Sequence, residues 1–214
     1  MFIGEMIVRR TAAKTDQEHV NMVITNNTTI PDRTAFILGE SDENPVPVIL
    51  SDAKKLEVAG VDVLAIPCNT AHSFYAEISR GTDLPVINMI EETARYAKNK
   101  GAKRVGILGT TGTVATGIYQ DACMAFGMEA IVPTEEIQAL VMSLIYEDIK
   151  AGKPADFDKW QKIRRAMDED GCDEIILGCT ELSIVRKELG LTDCLDSLLV
   201  LAETAIQKCG YQVK

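Results

Sequence analysis

The chain has 214 residues and a formal net charge of −10, with 46% hydrophobic and 25% charged residues. This length and composition are typical of a globular protein with one large or two small hydrophobic cores. The acidic charge argues against nucleic acid and anionic membranes as partners, and no apolar stretch approaches the roughly 20 residues that span a bilayer. Six cysteines without close spacing indicate free thiols, so we expect a soluble protein of the reducing cytoplasm.

The first half of the chain predicts helices that alternate with short extended segments. Apolar residues at helical spacing indicate that the chain begins within an amphipathic helix. Ser51 is a candidate cap for a second helix, and Asn88 for a third. Three segments have the composition of short strands: Met22–Thr25, Val61–Ile66 and Pro85–Ile87.

The second half opens with a strand and a Gly/Thr loop. The predicted strand is Arg104–Leu108, and the loop is Gly109–Thr113. From Glu135 onward the apolar residues follow the i, i+3, i+4 spacing of a helix, which brings Lys150 to the end of that helix. Asp196 is placed to cap the last helix, much as Asn88 caps its counterpart in the first half.

An internal repeat connects the two halves. Gly60, Asp62 and Cys68 recur at one constant offset as Gly171, Asp173 and Cys179, and each cysteine directly follows a predicted strand.

Strands that alternate with helices indicate an α/β fold with parallel sheets. The repeat predicts two similar domains, residues 1–92 with 196–214 and residues 93–195. By the same repeat, a strand and loop equivalent to Arg104–Thr113 should precede Met1. We therefore expect the first domain to lack its N-terminal strand.

The paired cysteines are the strongest indication of function. Ligands bind at the carboxyl ends of the strands in parallel α/β sheets, where both Cys68 and Cys179 lie. If the halves face each other about a pseudo-twofold axis, the two sulfurs converge on one cleft. A thiolate and a thiol on opposite sides of a carbon atom can remove a proton from one face and return one to the other. The alternative is that both are buried structural cysteines, which we also expect for Cys123, Cys172, Cys194 and Cys209.

Ile66–His72 and Leu177–Glu181 resemble the two signature motifs of the cofactor-independent aspartate/glutamate racemase family, and they look nearest to its aspartate racemase branch. The resemblance implies two Rossmann-like parallel-sheet domains related by a pseudo-twofold axis, assembled as a homodimer. It also implies a small-molecule amino-acid substrate, no pyridoxal phosphate and no metal, with Cys68 and Cys179 as the two catalytic bases.

The resemblance assigns the carboxylates of the substrate to polar and basic residues. Asn69 and Thr70 would bind the α-carboxylate, and Thr180 would do so from across the cleft. Arg33 and Lys150 match basic positions around the side-chain carboxylate, a task that suits the bidentate guanidinium of arginine. From the residues alone, Lys150 is alternatively a favourable charge at a helix C-terminus, and Arg33 a solvated charge in a turn.

The Gly/Thr loop matches neither the dinucleotide fingerprint nor the P-loop. The resemblance implies that it lines the cleft, with Thr110 and Thr111 donating N–H or hydroxyl groups to the substrate. Glu181 either tunes the second cysteine or caps its helix. His72 is expected in a surface or satisfied buried position rather than in catalysis.

The function that the sequence favours is racemisation of aspartate, or of glutamate, by two-base proton transfer at Cα. One alternative is a related enzyme of the same fold, such as a maleate isomerase or a malonate decarboxylase. Another is a catalytically silent amino-acid-binding protein, which the missing N-terminal strand would favour.

Overall fold

A parallel four-stranded sheet organises the second half of the chain. The computed structural model describes all residues, 1–214. The sheet has the order β2-β1-β3-β4, and β1 and β3 are buried over almost their whole length, as strands covered on both faces are. The strands are β1 (Arg104–Gly109), β2 (Glu129–Ile131), β3 (Glu174–Gly178) and β4 (Leu195–Asp196).

The register of the two central strands determines where their carboxyl ends lie. β1 and β3 pair in parallel from Val105 with Glu174 to Gly109 with Gly178. Because the two strands end side by side, the residues that follow them leave the sheet at the same edge.

Eleven α-helices surround and extend this sheet. They are α1 (Phe2–Arg10), α2 (Arg33–Ile37), α3 (Val46–Val58), α4 (Tyr75–Arg80), α5 (Met89–Asn99), α6 (Thr111–Ala115), α7 (Ile118–Ala125), α8 (Glu135–Ser143), α9 (Phe157–Glu169), α10 (Thr180–Leu189) and α11 (Ser197–Lys208). Two 3₁₀ turns (Asp16–Glu18 and Thr70–Phe74) and one π-helical turn (Leu144–Ile149) complete the elements. None of the helices is both long and apolar enough to cross a membrane.

The predicted strands of the first half form no sheet. Met22–Thr25 makes no backbone hydrogen bond, and Val61–Ile66 is joined to Pro85–Ile87 only by a bridge between Leu64 and Val86. A largely apolar cavity of about 580 Å³ is lined by both Met22–Thr25 and Val61–Ile66. A β-ladder needs a second strand at hydrogen-bonding distance. Where these two segments face the cavity, no such strand is present, so no ladder forms there.

The helix boundaries confirm some predictions and correct others. The Asn88 and Asp196 side chains accept hydrogen bonds from the first turns of α5 and α11, as predicted. The prediction for Ser51 was wrong, because α3 begins at Val46, where Asn44 Oδ1 accepts from the Val46 N–H at 2.9 Å.

The main apolar core contains residues from both halves of the chain. It joins residues of α1 and α5 to residues of β1, β3 and α11, for example Ile7, Met89, Ile107, Ile176 and Leu201. α11 packs against α1 and α5. The division into residues 1–92 with 196–214 and residues 93–195 stays a prediction.

Candidate active site

A small cavity lies where the strand order of the sheet changes direction. The chain runs from β1 to β2 on one side and then to β3 on the other side of β1, so the carboxyl ends of β1 and β3 border a switch point, where α/β sheets bind ligands. The cavity measures about 80 Å³. Its lining is mostly polar and comes from both halves: Asp32, Arg33, Thr34, Pro67, Cys68, Asn69, Thr70, Thr110, Tyr146, Lys150, Gly178, Cys179, Thr180 and Glu181.

Eight of the nine residues predicted from the sequence line this cavity. The exception is Thr111. Thr110 is the N-cap of α6, whereas Thr111 is its first helical residue and donates its N–H to Met142 Sδ at 3.3 Å. The short turn therefore presents Thr110 to the cavity, while Thr111 lies outside its lining.

Cys179 is buried against a carboxylate. Its thiol donates to Glu181 Oε2 at 2.9 Å, and Thr180 Oγ1 donates to the same oxygen at 3.0 Å. Burial, followed by the charge and hydrogen bond of Glu181, raises the pKa of the Cys179 thiol well above its ordinary value. Negative charge on Cys68 adds to this rise. The Glu181 carboxylate accepts from Cys179 and Thr180 and from no backbone N–H of α10, so it contacts the cysteine rather than capping the helix.

Cys68 lies beside a cation. Arg33 is fixed by Nη1, which donates to the carbonyls of Pro31 at 2.9 Å and Ile30 at 3.3 Å. Burial works against its charge, but attraction to Cys68 and Asp32 outweighs burial and raises the pKa of the guanidinium. The two cysteines thus sit in opposite electrostatic surroundings, one beside a cation and one beside an anion.

The His72 ring contacts the backbone of the turn that contains Cys68. Its Nδ1 lies 2.9 Å from the Cys68 carbonyl oxygen, and its Nε2 lies 3.2 Å from both the Met89 amide nitrogen and the Ile87 carbonyl oxygen. Burial lowers the pKa of the imidazole and so favours the neutral ring, against the opposing effect of the two carbonyls. The expectation of a satisfied buried histidine is confirmed.

Asn69, which lines the cavity, has a side-chain donor without a partner. Only 2% of Asn69 is exposed. Its Oδ1 accepts from the Tyr119 hydroxyl at 2.6 Å, whereas Nδ2 is buried without any partner. A buried donor without a partner costs free energy, which an anionic ligand would recover.

A cluster of threonine hydroxyls joins the two halves next to Asn69. Thr70 Oγ1 lies 3.1 Å from Thr110 Oγ1 and 2.9 Å from Thr113 Oγ1, and Thr34 Oγ1 donates to Thr110 Oγ1 at 3.3 Å. The hydroxyls of Thr70 and Thr110 are therefore already engaged with each other.

Lys150 and Tyr146 line the cavity. Tyr146 lies in the π-helical turn, and Lys150 is the residue that follows it. Lys150 Nζ lies 4.2 Å from the centre of the Tyr146 ring and 3.9 Å from Glu181 Oε1. π-helical turns recur at functional sites because they redirect side chains, but no single-sequence pattern announces one. For this reason the sequence did not predict that Tyr146 lines the site.

Comparison with known proteins identifies the family. Residues 3–205 match the family model described as Asp/Glu/Hydantoin racemase. The chain belongs to the Asp/Glu/hydantoin racemase family. As a member of this family of amino-acid racemases, it falls among the isomerases.

Two curated racemases show how far the similarity extends. The chain is 32% identical over 161 residues to the broad specificity amino-acid racemase RacX of Bacillus subtilis, covering 74% of this chain and 69% of RacX. It is 31% identical over 140 residues to the glutamate racemase of Aquifex aeolicus, covering 64% of this chain but only 53% of that enzyme.

Solved structures of the family have the same fold. The aspartate racemase of Picrophilus torridus superposes with a TM-score of 0.84 at 30% identity, covering 100% of this chain and 90% of that one. An aspartate racemase homologue from Pyrococcus horikoshii gives a TM-score of 0.78 at 22% identity, covering 98% of this chain and 92% of that one, and shows the likeness of fold alone.

Proposed function

We propose that this protein interconverts L- and D-aspartate by two-base proton transfer at Cα, with Cys68 and Cys179 as the two bases. The observation that carries the proposal is the meeting of both repeat-related cysteines in one polar cavity, together with two cations and an unpaired amide donor. Both proton transfers are assigned to protein thiols, so the proposal invokes no cofactor.

The surroundings of the two cysteines support complementary roles. Arg33 places positive charge beside Cys68, whereas burial and Glu181 raise the pKa of the Cys179 thiol. In one direction the Cys68 thiolate removes the α-proton, and the Cys179 thiol delivers its proton to the opposite face of Cα. The other direction reverses the two transfers.

The polar lining suits a substrate with two carboxylates. The Asn69 Nδ2 donor accommodates one carboxylate, and Arg33 and Lys150 provide positive charge for the other. Binding of the α-carboxylate also stabilises negative charge that spreads into it as the α-proton leaves.

The first test is incubation of the protein with L-aspartate in deuterium oxide without added cofactor. NMR follows loss of the α-proton signal, and chiral chromatography follows growth of D-aspartate. We expect the two to proceed together. Cys68→Ser and Cys179→Ser should each lower the rate of inversion by about 10²-fold or more, because each removes one of the two proton carriers.

Cys123→Ser is the matched control, since Cys123 is fully buried away from the cavity. Unchanged inversion in both Cys68→Ser and Cys179→Ser would refute the mechanism. Turnover of maleate or malonate in place of aspartate would favour the related isomerase or decarboxylase. Saturable binding of aspartate without exchange would favour a silent binding protein. L-Glutamate and L-alanine complete the panel, because RacX is named for broad specificity.

The homodimer and the cytoplasmic location stay predictions. The substrate-binding roles of four threonines are likewise proposals: Thr70, Thr110, Thr111 and Thr180. Of these, only Thr111 lies outside the cavity lining.

A further inference from the structure

One buried side chain outside the cavity contacts both cysteine motifs. Tyr119, on α7, is fully buried. Its hydroxyl donates to Asn69 Oδ1 at 2.6 Å, next to Cys68. Its ring lies directly against Gly178, next to Cys179, since a Cβ added to Gly178 would stand 3.0 Å from Tyr119 Cε2. Glycine at this position is what allows the ring to approach.

The hydrogen bond from the Tyr119 hydroxyl engages the oxygen end of the Asn69 amide. A phenol that donates to Oδ1 leaves Nδ2 as the end without a partner, and Nδ2 is the buried donor described above. Burial raises the pKa of Tyr119, so the phenol keeps the proton that it donates to Asn69 Oδ1. With the amide turned by half a rotation, a carbonyl oxygen would take the place of Nδ2 and would repel a bound carboxylate.

We propose that Tyr119 is a positioning residue for carboxylate recognition: it holds the Asn69 amide with Nδ2 free for the ligand. Its packing against Gly178 also holds this donor in place relative to the Cys179 turn. The proposal rests on the proposed function, because it requires that Asn69 binds a carboxylate of the substrate.

The decisive experiment is a double-mutant cycle between Tyr119→Phe and Asn69→Ala. Phenylalanine keeps the ring against Gly178 and removes only the hydroxyl. Ligand-observed NMR measures the Kd of succinate, a dicarboxylate without an amino group, and the D₂O assay measures KM and kcat for L-aspartate. We expect Tyr119→Phe to raise Kd and KM by about tenfold or more, with a much smaller change in kcat, since it weakens a hydrogen bond to a charged group.

In the Asn69→Ala background the same Tyr119→Phe change should alter Kd by less than about twofold, because no amide is left to orient. Tyr75→Phe is the matched control: its hydroxyl donates to the Val86 carbonyl at 3.1 Å, and it does not line the cavity. Asn69→Asp gives a second test that leaves Tyr119 intact. It keeps an acceptor for Tyr119 but replaces the amide donor by an oxygen, so it should weaken succinate binding at least as much as Asn69→Ala.

The outcomes separate this inference from the proposed function. An equal effect of Tyr119→Phe in both backgrounds, no effect in either, or undiminished succinate binding by Asn69→Asp would overturn the role of Tyr119. So would a wild-type protein that binds neither succinate nor aspartate. Wild-type protein that binds both but does not exchange the α-proton would refute racemisation, while the cycle would still decide the role of Tyr119.

Discussion

At the scale of single residues, Glu181 is one of the groups that make the surroundings of the two cysteines differ. One of its oxygens accepts from both Cys179 and Thr180, and the other lies 3.9 Å from Lys150 Nζ. The carboxylate therefore keeps the proton on Cys179 while its own charge is partly balanced by Lys150. The proposed two-base mechanism needs one cysteine charged and the other protonated at the start of each turnover, and we expect Glu181 to contribute to this asymmetry.

We predict that Glu181→Gln lowers the pKa of Cys179, because it removes the negative charge while leaving a side chain of similar size. The pKa should stay above the ordinary value, since burial is the larger cause of the rise. Alkylation of Cys179 by iodoacetamide, followed by mass spectrometry as a function of pH, should set in at lower pH in the variant.

Glu147→Gln is the matched control, because Glu147 accepts from Ser143 Oγ at 2.6 Å and does not line the cavity. An alkylation profile of Cys179 that Glu181→Gln leaves unchanged would show that burial alone sets its protonation.

The sequence predicted the cysteines but not the tyrosines that support them, for a physical reason. Cys68 and Cys179 each follow an apolar run and recur in a repeat, so their equivalence is visible in the sequence, although only Cys179 follows a strand in the structure. Tyr119 and Tyr146 reach the site through packing between distant elements and through a π-helical turn, neither of which leaves a periodic pattern.

At the scale of secondary-structure elements, the two halves differ in whether their extended segments pair with a neighbouring strand. Val105–Leu108 and Ile175–Leu177 became strands because each has a partner at strand spacing. Val61–Ile66 has a similar composition but borders a cavity along one side, so tertiary context overrode its β-propensity. The fold class and most elements of the second half were readable from the sequence, whereas the strands predicted for the first half were wrong because pairing depends on segments far apart in the chain.

We predict that the backbone amides of Val63 and Ala65 exchange rapidly with solvent deuterium, because neither makes a backbone hydrogen bond. The Ile176 amide, in the buried centre of β3, should exchange about 10³-fold more slowly or slower still. Leu64 is the internal control, since its N–H donates to the Pro85 carbonyl at 2.9 Å. Protection of Val63 and Ala65 equal to that of Ile176 would mean that a partner strand covers this edge.

At the scale of the whole molecule, the free cysteines outside the cavity connect stability to pH. All six cysteines are free. Cys123 belongs to the larger core cluster and Cys194 to the second, which packs around α8, α9 and α10. Burial raises the pKa of Cys123 to about 11 and that of Cys194 to about 12. The thiols of the unfolded chain ionise near pH 8.5, well before these two do in the folded protein.

We predict that the free energy of unfolding decreases as the pH rises above about 9, because the unfolded chain then releases protons that the folded protein retains. Each such thiol adds a slope of at most about 1.4 kcal/mol per pH unit, which is exhausted once the pH passes its folded pKa. Urea unfolding between pH 8 and 10.5 measures this slope, and Cys123→Ala should make it shallower. Val141→Ala, at another fully buried position, should lower stability at every pH without changing the slope. An identical slope in wild type and Cys123→Ala would mean that the Cys123 thiol ionises alike in the folded and unfolded chain, against its burial in the larger core.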